Sequence, residues 1–549
     1  MNHITSRFHS IAQGFLDQSH ELFPQNASAL GLRQFDGELG RNDPQIHLAY
    51  CRLLASTLEQ MEALPEIAFN GDDWLDRRGF VSMLRTGIHS HRDLQRWRND
   101  PQTHCGAAID AIFELVVRNT GNLSKALPSI ESRLSKIPPF LSGGAACLKN
   151  PVPLWSKLAV QSCDGALIFL EKLEQTLLPI SSDPARTTKL FHEAAAAFKN
   201  YARAIGRKSP GPANGFSVGR EGFEFLIREK LGLSLSLPEA EALGHRLIEQ
   251  LSHEQKIEAA KFGGRKAKVI IEEAASRWNP SAGSLLEEYQ AGTQRMRERF
   301  AKADLLTFPE KEKLNVMPVP EFLRHQFPTA AYMAPGPYEK KQTGIFWVND
   351  LSALQKTPEK KNAEIRQHFG LELTCAHEAY PGHHVQFVIQ NRHPGKLRRL
   401  FHHAIFYEGW TLWCEKMCIE HGIYKSPHAR LIQITDALWR AWRIVIDCGL
   451  HSGALDHKKA SRLLMNGVGF TAQRAAGDVN WYTSAPTVPM SYLIGRLELE
   501  KMHAKLVTGS GWPLKKFNDW ILSYGAIPWS WIWQSALTSQ NLPIAAPRR

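Results

Sequence analysis

The chain has 549 residues, 43% apolar and 22% charged, the composition of a soluble globular protein with enough length for about two to four domains. Sixty-six Lys and Arg against 54 Asp and Glu leave a formal net charge of +12, but the basic residues fall in short clusters such as Lys340-Lys341 and Arg398-Arg399, without the aromatic interleaving of an RNA-binding surface. No stretch reaches the roughly 18 apolar residues of a membrane span, Met1 to Gly14 lacks an apolar signal-peptide run, and eight scattered cysteines suit a reducing compartment, so a cytoplasmic protein with no nucleic-acid or membrane partner is expected.

Residues 1 to about 135 read as helices, with apolar residues at helical spacing over His47–Met61 and Trp74–Trp97. Pro138-Pro139 and Gly143-Gly144 predict a break, followed by helices over Leu154–Leu178 and Thr187–Ala204. The Gly- and Pro-dense stretch Lys208–Ser217 is either a domain boundary or a loop beside the active site. This gives an N-terminal helical region, 1–210, and a catalytic region, 211–549, expected to form one compact unit. Helices are predicted over Gly222–Leu231 and from Leu237, where Pro238 and two acids mark a helix start, to about Phe300. Between 315 and 350 the period changes: Asn315–Pro320 and Gly344–Asn349 are short, β-branched and aromatic, and read as strands. The Trp-rich end, Trp512 to Trp533, reads as helix packing, and the tail Pro543–Arg549 as disordered.

The chemistry concentrates in Thr374-Cys-Ala-His377-Glu378-Ala-Tyr380-Pro381-Gly382-His383-His384-Val-Gln386. Neutral imidazoles are good zinc ligands, and a glutamate beside the first can serve as a base. The usual spacing of such motifs puts two histidines four residues apart on one helix face. Here the fourth position is Pro381. On a regular helix His383 would point about 120° away from His377, and His384 would lie about 10 Å along the axis, so a straight helix cannot build the site. Pro381 and Gly382 predict a bulge that swings His383 back towards His377, with His384 the weaker candidate; the alternative is a helix ending at Tyr380 with solvated histidines beyond it. A third ligand is expected downstream, where Glu408 sits among apolar neighbours, an expensive place for an unpaired carboxylate. Glu415, seven residues on and about 20° off the same face, suits a carboxylate bonded to a ligand histidine.

The motif His377-Glu378-Ala-Tyr-Pro-Gly-His383-His384-x-Gln386, with Tyr407-Glu408-Gly409-Trp410, resembles a large, mainly bacterial family long catalogued as a domain of unknown function, itself similar in its motifs to glutamate-ligand zinc peptidases such as the carboxypeptidase Taq group. Glu21–Gly31, Arg443–His451 and Pro489–Gly495 also match its pattern, so the resemblance spans nearly the whole chain. It implies a mainly α, large multi-helix metallopeptidase-like fold with a small β element next to the zinc helix, and Zn2+ on His377, His383 and Glu408. It also implies that the 344–349 strand is an edge strand pairing with substrate.

On the segment Thr435–His451, the residues Asp436, Arg440, Arg443, Asp447 and His451 share an arc of about 80° on an otherwise apolar helix. Such a stripe is either a solvent face or the lining of an internal cleft, and the apolar residues covering most of the circumference favour the cleft. Arg443 could clamp a substrate carboxylate, His451 could donate to the developing oxyanion, and Asp447 could orient one of them. Tyr482 is a further substrate-binding candidate, and Tyr492, in a family-like motif, is the preferred oxyanion donor. The resulting expectation is a zinc-dependent hydrolase of short peptides, carboxypeptidase- or dipeptidase-like, with Glu378 as base. A zinc hydrolase of a non-peptide amide and an inactive binding scaffold are the rivals.

Overall fold

The computed structural model describes residues 3–320, 324 and 329–538, and the predicted tail Pro543–Arg549 lies outside them. The fold is mainly α with one three-stranded sheet. The chain divides into two compact units, one of residues 1–69, 80–216 and 320–323, the other of residues 70–79, 217–319 and 324–549. The change of unit at Phe216–Ser217 falls inside the Gly- and Pro-dense stretch.

The first unit is helical throughout its described part, with helices that include Pro44–Glu62, Gln102–Arg118, Leu123–Cys147, Pro153–Leu177 and Pro184–Gly206. The break expected at Pro138-Pro139 is absent, because Leu123–Cys147 runs straight through it. Ile137, Phe140 and Leu141 are buried on one side while Pro139 faces solvent, so packing outweighs the lost backbone donors. Gly143 and Gly144 mark a close approach instead: a Cβ on Gly143 would stand 2.2 Å from the carbonyl oxygen of Asn42. The helix expected over Trp74–Trp97 ends as α-helix at Ile88 and continues as a wider turn, His89–Asp93.

In the second unit, Leu237–Ala260 starts with the reciprocal Ser236–Glu239 cap that the acids in its first turn foreshadow. The sheet contains β1 (Lys313–Pro318), β2 (Ala330–Met333) and β3 (Thr343–Val348) in the order β1-β3-β2, with β1 parallel and β2 antiparallel to β3. The strand expected at an edge is therefore central, and both its backbone sides are taken. The sequence shows why: Ile345, Phe346, Trp347 and Val348 are apolar without alternation, and all four are buried, the signature of a strand covered on both faces. The helix Ala429–Ser452 packs against Leu237–Ala260 and against Val488–His503, and its charged stripe turns inward: Arg440, Arg443, Asp447 and His451 are all buried.

The helix Ala404–Glu420 carries Glu408 and Glu415, and it packs along Val488–His503, which carries Tyr492. The contact passes through two glycines. A Cβ on Gly409 would lie 2.6 Å from the carbonyl carbon of Gly495, and one on Gly495 would lie 2.2 Å from the carbonyl oxygen of Ile405. Since backbone cannot yield as a flexible side chain does, Gly495→Ala is expected to lower stability by at least about 1–3 kcal/mol. Gly477→Ala, on an exposed helical position with no heavy atom within 4 Å of its Cβ, should instead stabilise by about 0.5–1 kcal/mol. Urea denaturation of the two variants beside the parent checks both signs.

Candidate metal centre

The His377 helix, Leu371–Glu378, ends where Ala379 leaves helical geometry at φ −114°, ψ −89°. The Tyr380–Pro381 peptide is cis, and Gly382 leads into a new helix, His383–Asn391. The predicted bulge is thus a full break between two short helices. Gly382 lies so close to the end of the first helix that a Cβ would stand 1.8 Å from the His377 carbonyl oxygen, a position only glycine can occupy. The indole of Trp410 donates to the Pro381 carbonyl at 2.9 Å. This reversal brings the His377 and His383 rings to 5.0 Å between centroids.

Glu408 completes the group. Its Oε2 lies 3.5 Å from Nε2 of His377 and 3.5 Å from Nε2 of His383. That oxygen is buried and accepts no hydrogen bond of good geometry. A spacing of 3.5 Å is long for a hydrogen bond. It matches the separation of about 3.3–3.4 Å that bonds of about 2.0–2.1 Å impose on ligand atoms around a tetrahedral zinc. A Glu378 oxygen also lies within 4.8 Å of ring nitrogens of both histidines. Glu378 is half-buried and Glu408 buried, so either carboxylate stands within reach of the two imidazoles, Glu378 nearer solvent. Donor types, spacing and the orphaned carboxylate oxygen all fit a divalent cation such as zinc.

The electrostatics agree. His377 donates from Nδ1 to Oε1 of Glu415 at 2.8 Å, which fixes the tautomer and leaves Nε2 towards the centre. Burial favours neutral His377, but the neighbouring Glu408 and Glu415 outweigh it and lift its pKa to about 10. Burial likewise opposes charge on Glu408, yet His383 and His377 hold its carboxyl well below the usual carboxylate range. Buried negative charge thus draws a proton onto His377, a role a bound cation takes over.

The remaining sequence-derived candidates separate into two groups. Tyr492 is at the centre, its ring stacked on His377 at 6.3 Å between centroids; burial and the charge of Glu408 both raise its pKa, so it stays a phenol. Arg443 lies behind it, with its guanidinium 4.6 Å from the Tyr492 ring and 4.0 Å from that of Trp439. Arg443 donates from Nε to the Tyr482 hydroxyl at 3.0 Å, while its buried Nη1 has no partner. Tyr482 is fully buried, donates to Asp478 at 2.9 Å and holds Arg443 through its hydroxyl. His451 is engaged elsewhere: its Nε2 meets the Tyr482 carbonyl oxygen at 3.1 Å and its ring stacks on Phe223. Asp447 accepts from the backbone N–H groups of Thr487 and Met490 at the start of the helix that carries Tyr492, and its Oδ1 also lies 3.6 Å from Nε2 of His451.

His384 points away from the ligand group. Its Nε2 is 2.7 Å from Oε2 of Glu312, and its Nδ1 is 3.1 Å from the Tyr332 hydroxyl. Sequence reasoning missed Glu312 and Tyr332. Glu312 stands in Lys311-Glu312-Lys313, which reads as a solvated loop, and Tyr332 lies on a four-residue strand without alternation. With this ligand set, purified protein loaded with zinc should contain about one ion per chain, and His383→Ala or Glu408→Ala close to none, by elemental mass spectrometry. Equal metal in either variant would remove that residue from the ligand set.

The family model described as "Bacterial protein of unknown function (DUF885)" matches residues 24–534. Among solved structures, a candidate lipoprotein of unknown function from Shewanella oneidensis superposes with a TM-score of 0.77 at 20% identity, covering 96% of this chain and 99% of its own. A candidate lipoprotein from Colwellia psychrerythraea gives 0.76 at 17% identity, covering 97% and 99%. At these identities the two share the fold. A search of curated proteins finds no match to this chain. With a match over 24–534, the chain belongs to this bacterial family of unknown function.

Proposed function

We propose that this protein is a zinc-dependent peptidase acting on short peptides, of carboxypeptidase or dipeptidase type. The observation that carries the reading is the buried Glu408 oxygen held 3.5 Å from two imidazole nitrogens with no hydrogen bond of its own. His377, His383 and Glu408 would hold the ion, which when bound supplies Lewis acidity towards water and the scissile carbonyl. Glu378, on the open side, takes the proton of the attacking water and returns it to the leaving amine. Glu415 keeps His377 aimed. Tyr492, a phenol held by stacking, donates a hydrogen bond to the oxygen on which negative charge develops.

Arg443 sets the substrate class. Aromatic rings flank its guanidinium, and its buried Nη1 has no partner, an arrangement suited to a carboxylate. Through Tyr492 its guanidinium lies within about 11 Å of the His377 ring, a reach of about three extended residues at most. A terminal carboxylate bound there puts the cleaved bond near the chain end. A cytoplasmic site of action is part of this proposal, supported by eight free cysteines, seven of them buried. Among the described residues no helix is long and apolar enough to cross a membrane.

Zinc-loaded protein should hydrolyse members of a short-peptide library. Glu378→Gln should keep its zinc while kcat falls about 10²–10⁴-fold. Arg443→Gln should raise KM for peptides with a free C-terminus and leave C-terminal amides unchanged. No hydrolysis of any peptide by fully loaded parent protein would sink the reading.

A further inference from the structure

One carboxylate outside the ligand group holds both sides of the chain break. Glu312, just before β1, is almost entirely buried, with 4% of its side chain exposed. A single oxygen, Oε2, accepts from the Tyr380 hydroxyl at 2.8 Å and meets His384 Nε2 at 2.7 Å. Tyr380 precedes Pro381-Gly382 and His384 follows them. The other oxygen faces Arg297 at 3.4 Å. On its far side His384 contacts the Tyr332 hydroxyl of β2, and this pair crosses the sheet directly over Gly344, where a Cβ would stand 2.5 Å from the hydroxyl and 2.6 Å from Nδ1. The His384 ring is fully buried with both nitrogens engaged, and its backbone is continuous with His383.

We propose that Glu312 is a positioning residue for the metal centre: by tying Tyr380 to His384 it sets the geometry of the 379–383 reversal and so the distance from His383 to His377 and Glu408. The inference rests on the metal-site reading of those three residues. The Glu408 oxygen also faces both sides of the break, but at 3.5 Å from His377 and His383, whereas both Glu312 contacts are at hydrogen-bond distance. An amide is a poorer fit than the carboxylate. If the Gln oxygen faces Tyr380 and His384, its NH2 group faces the Arg297 guanidinium; if reversed, NH2 confronts the Tyr380 and His384 donors.

The test is zinc and cobalt(II) titration of the full chain, comparing parent, Glu312→Gln and Tyr380→Phe, with thermal unfolding of each metal-free protein alongside. Tyr380→Phe removes one of the two contacts and keeps the ring, so it serves even where Glu312→Gln folds poorly. Expected are a zinc affinity about 10–100-fold weaker for Glu312→Gln, a smaller loss for Tyr380→Phe, and an altered cobalt visible spectrum in both, with melting close to parent for Tyr380→Phe. Parental affinity and spectrum in folded variants would overturn the positioning role while leaving the ligand set intact. Failure of the parent to bind either metal would overturn both.

Discussion

The second unit depends on a backbone contact: Gly382 against the carbonyl end of the His377 helix. A continuous helix would put His383 on the wrong face and His384 about two turns along the axis. Ending one helix at Glu378 and starting another at His383 solves the problem with a reversal of four residues, at the cost of a position that tolerates no side chain. The reversal has few backbone bonds of its own. Trp410, Glu312 and the tight fit around Gly382 supply the definition that a helical ladder would otherwise provide.

A second constraint is electrostatic. Glu408 and Glu415 are buried on one helix, and Glu378 is half-buried beside them. Isolated carboxylates at such depth would be neutralised by protonation. Here Glu408 and Glu415 are held ionised by the histidines and, for Glu415, by Arg440 at 3.8 Å. A hydrophobic replacement would pack more cheaply, and buried ion pairs are weak stabilisers at best. What the arrangement gains is a fixed concentration of negative charge around two imidazoles.

The legible parts of this molecule were those where one residue type is costly in its local setting. Glu408 could be read from its apolar neighbours, Glu415 from its seven-residue offset, and the broken helix from Pro381-Gly382. The inward turn of the Arg443 stripe followed from apolar residues covering the rest of that helix. The failures have equally local causes. Pro138-Pro139 breaks a helix by propensity, but buried residues on either side carry it through. The continuous apolar run of β3 marks a central strand, which conflicts with an edge role. Glu312 and Tyr332 were invisible because their partner, His384, is distant in sequence, and burial of a lysine-flanked glutamate leaves no periodic trace. His451 shows the limit of face arithmetic: sharing an arc with Arg443 says nothing about which neighbour each residue meets.

Tyr492 joins the two halves of the site. One side of its surroundings is the His377 ring, the other the Arg443 guanidinium. Stacking constrains a ring or a guanidinium in orientation without consuming its in-plane donors, whereas a salt bridge to Asp or Glu would occupy the N–H edge of Arg443. The fold instead assigns the nearby acid, Asp478, to the Tyr482 hydroxyl, which in turn holds Nε of Arg443 and leaves Nη1 unpaired. A buried donor left unpaired costs free energy in the resting protein. Under the proposed function a substrate carboxylate would complete the pairing, while Asp447 holds the start of the Tyr492 helix through the N–H groups of Thr487 and Met490.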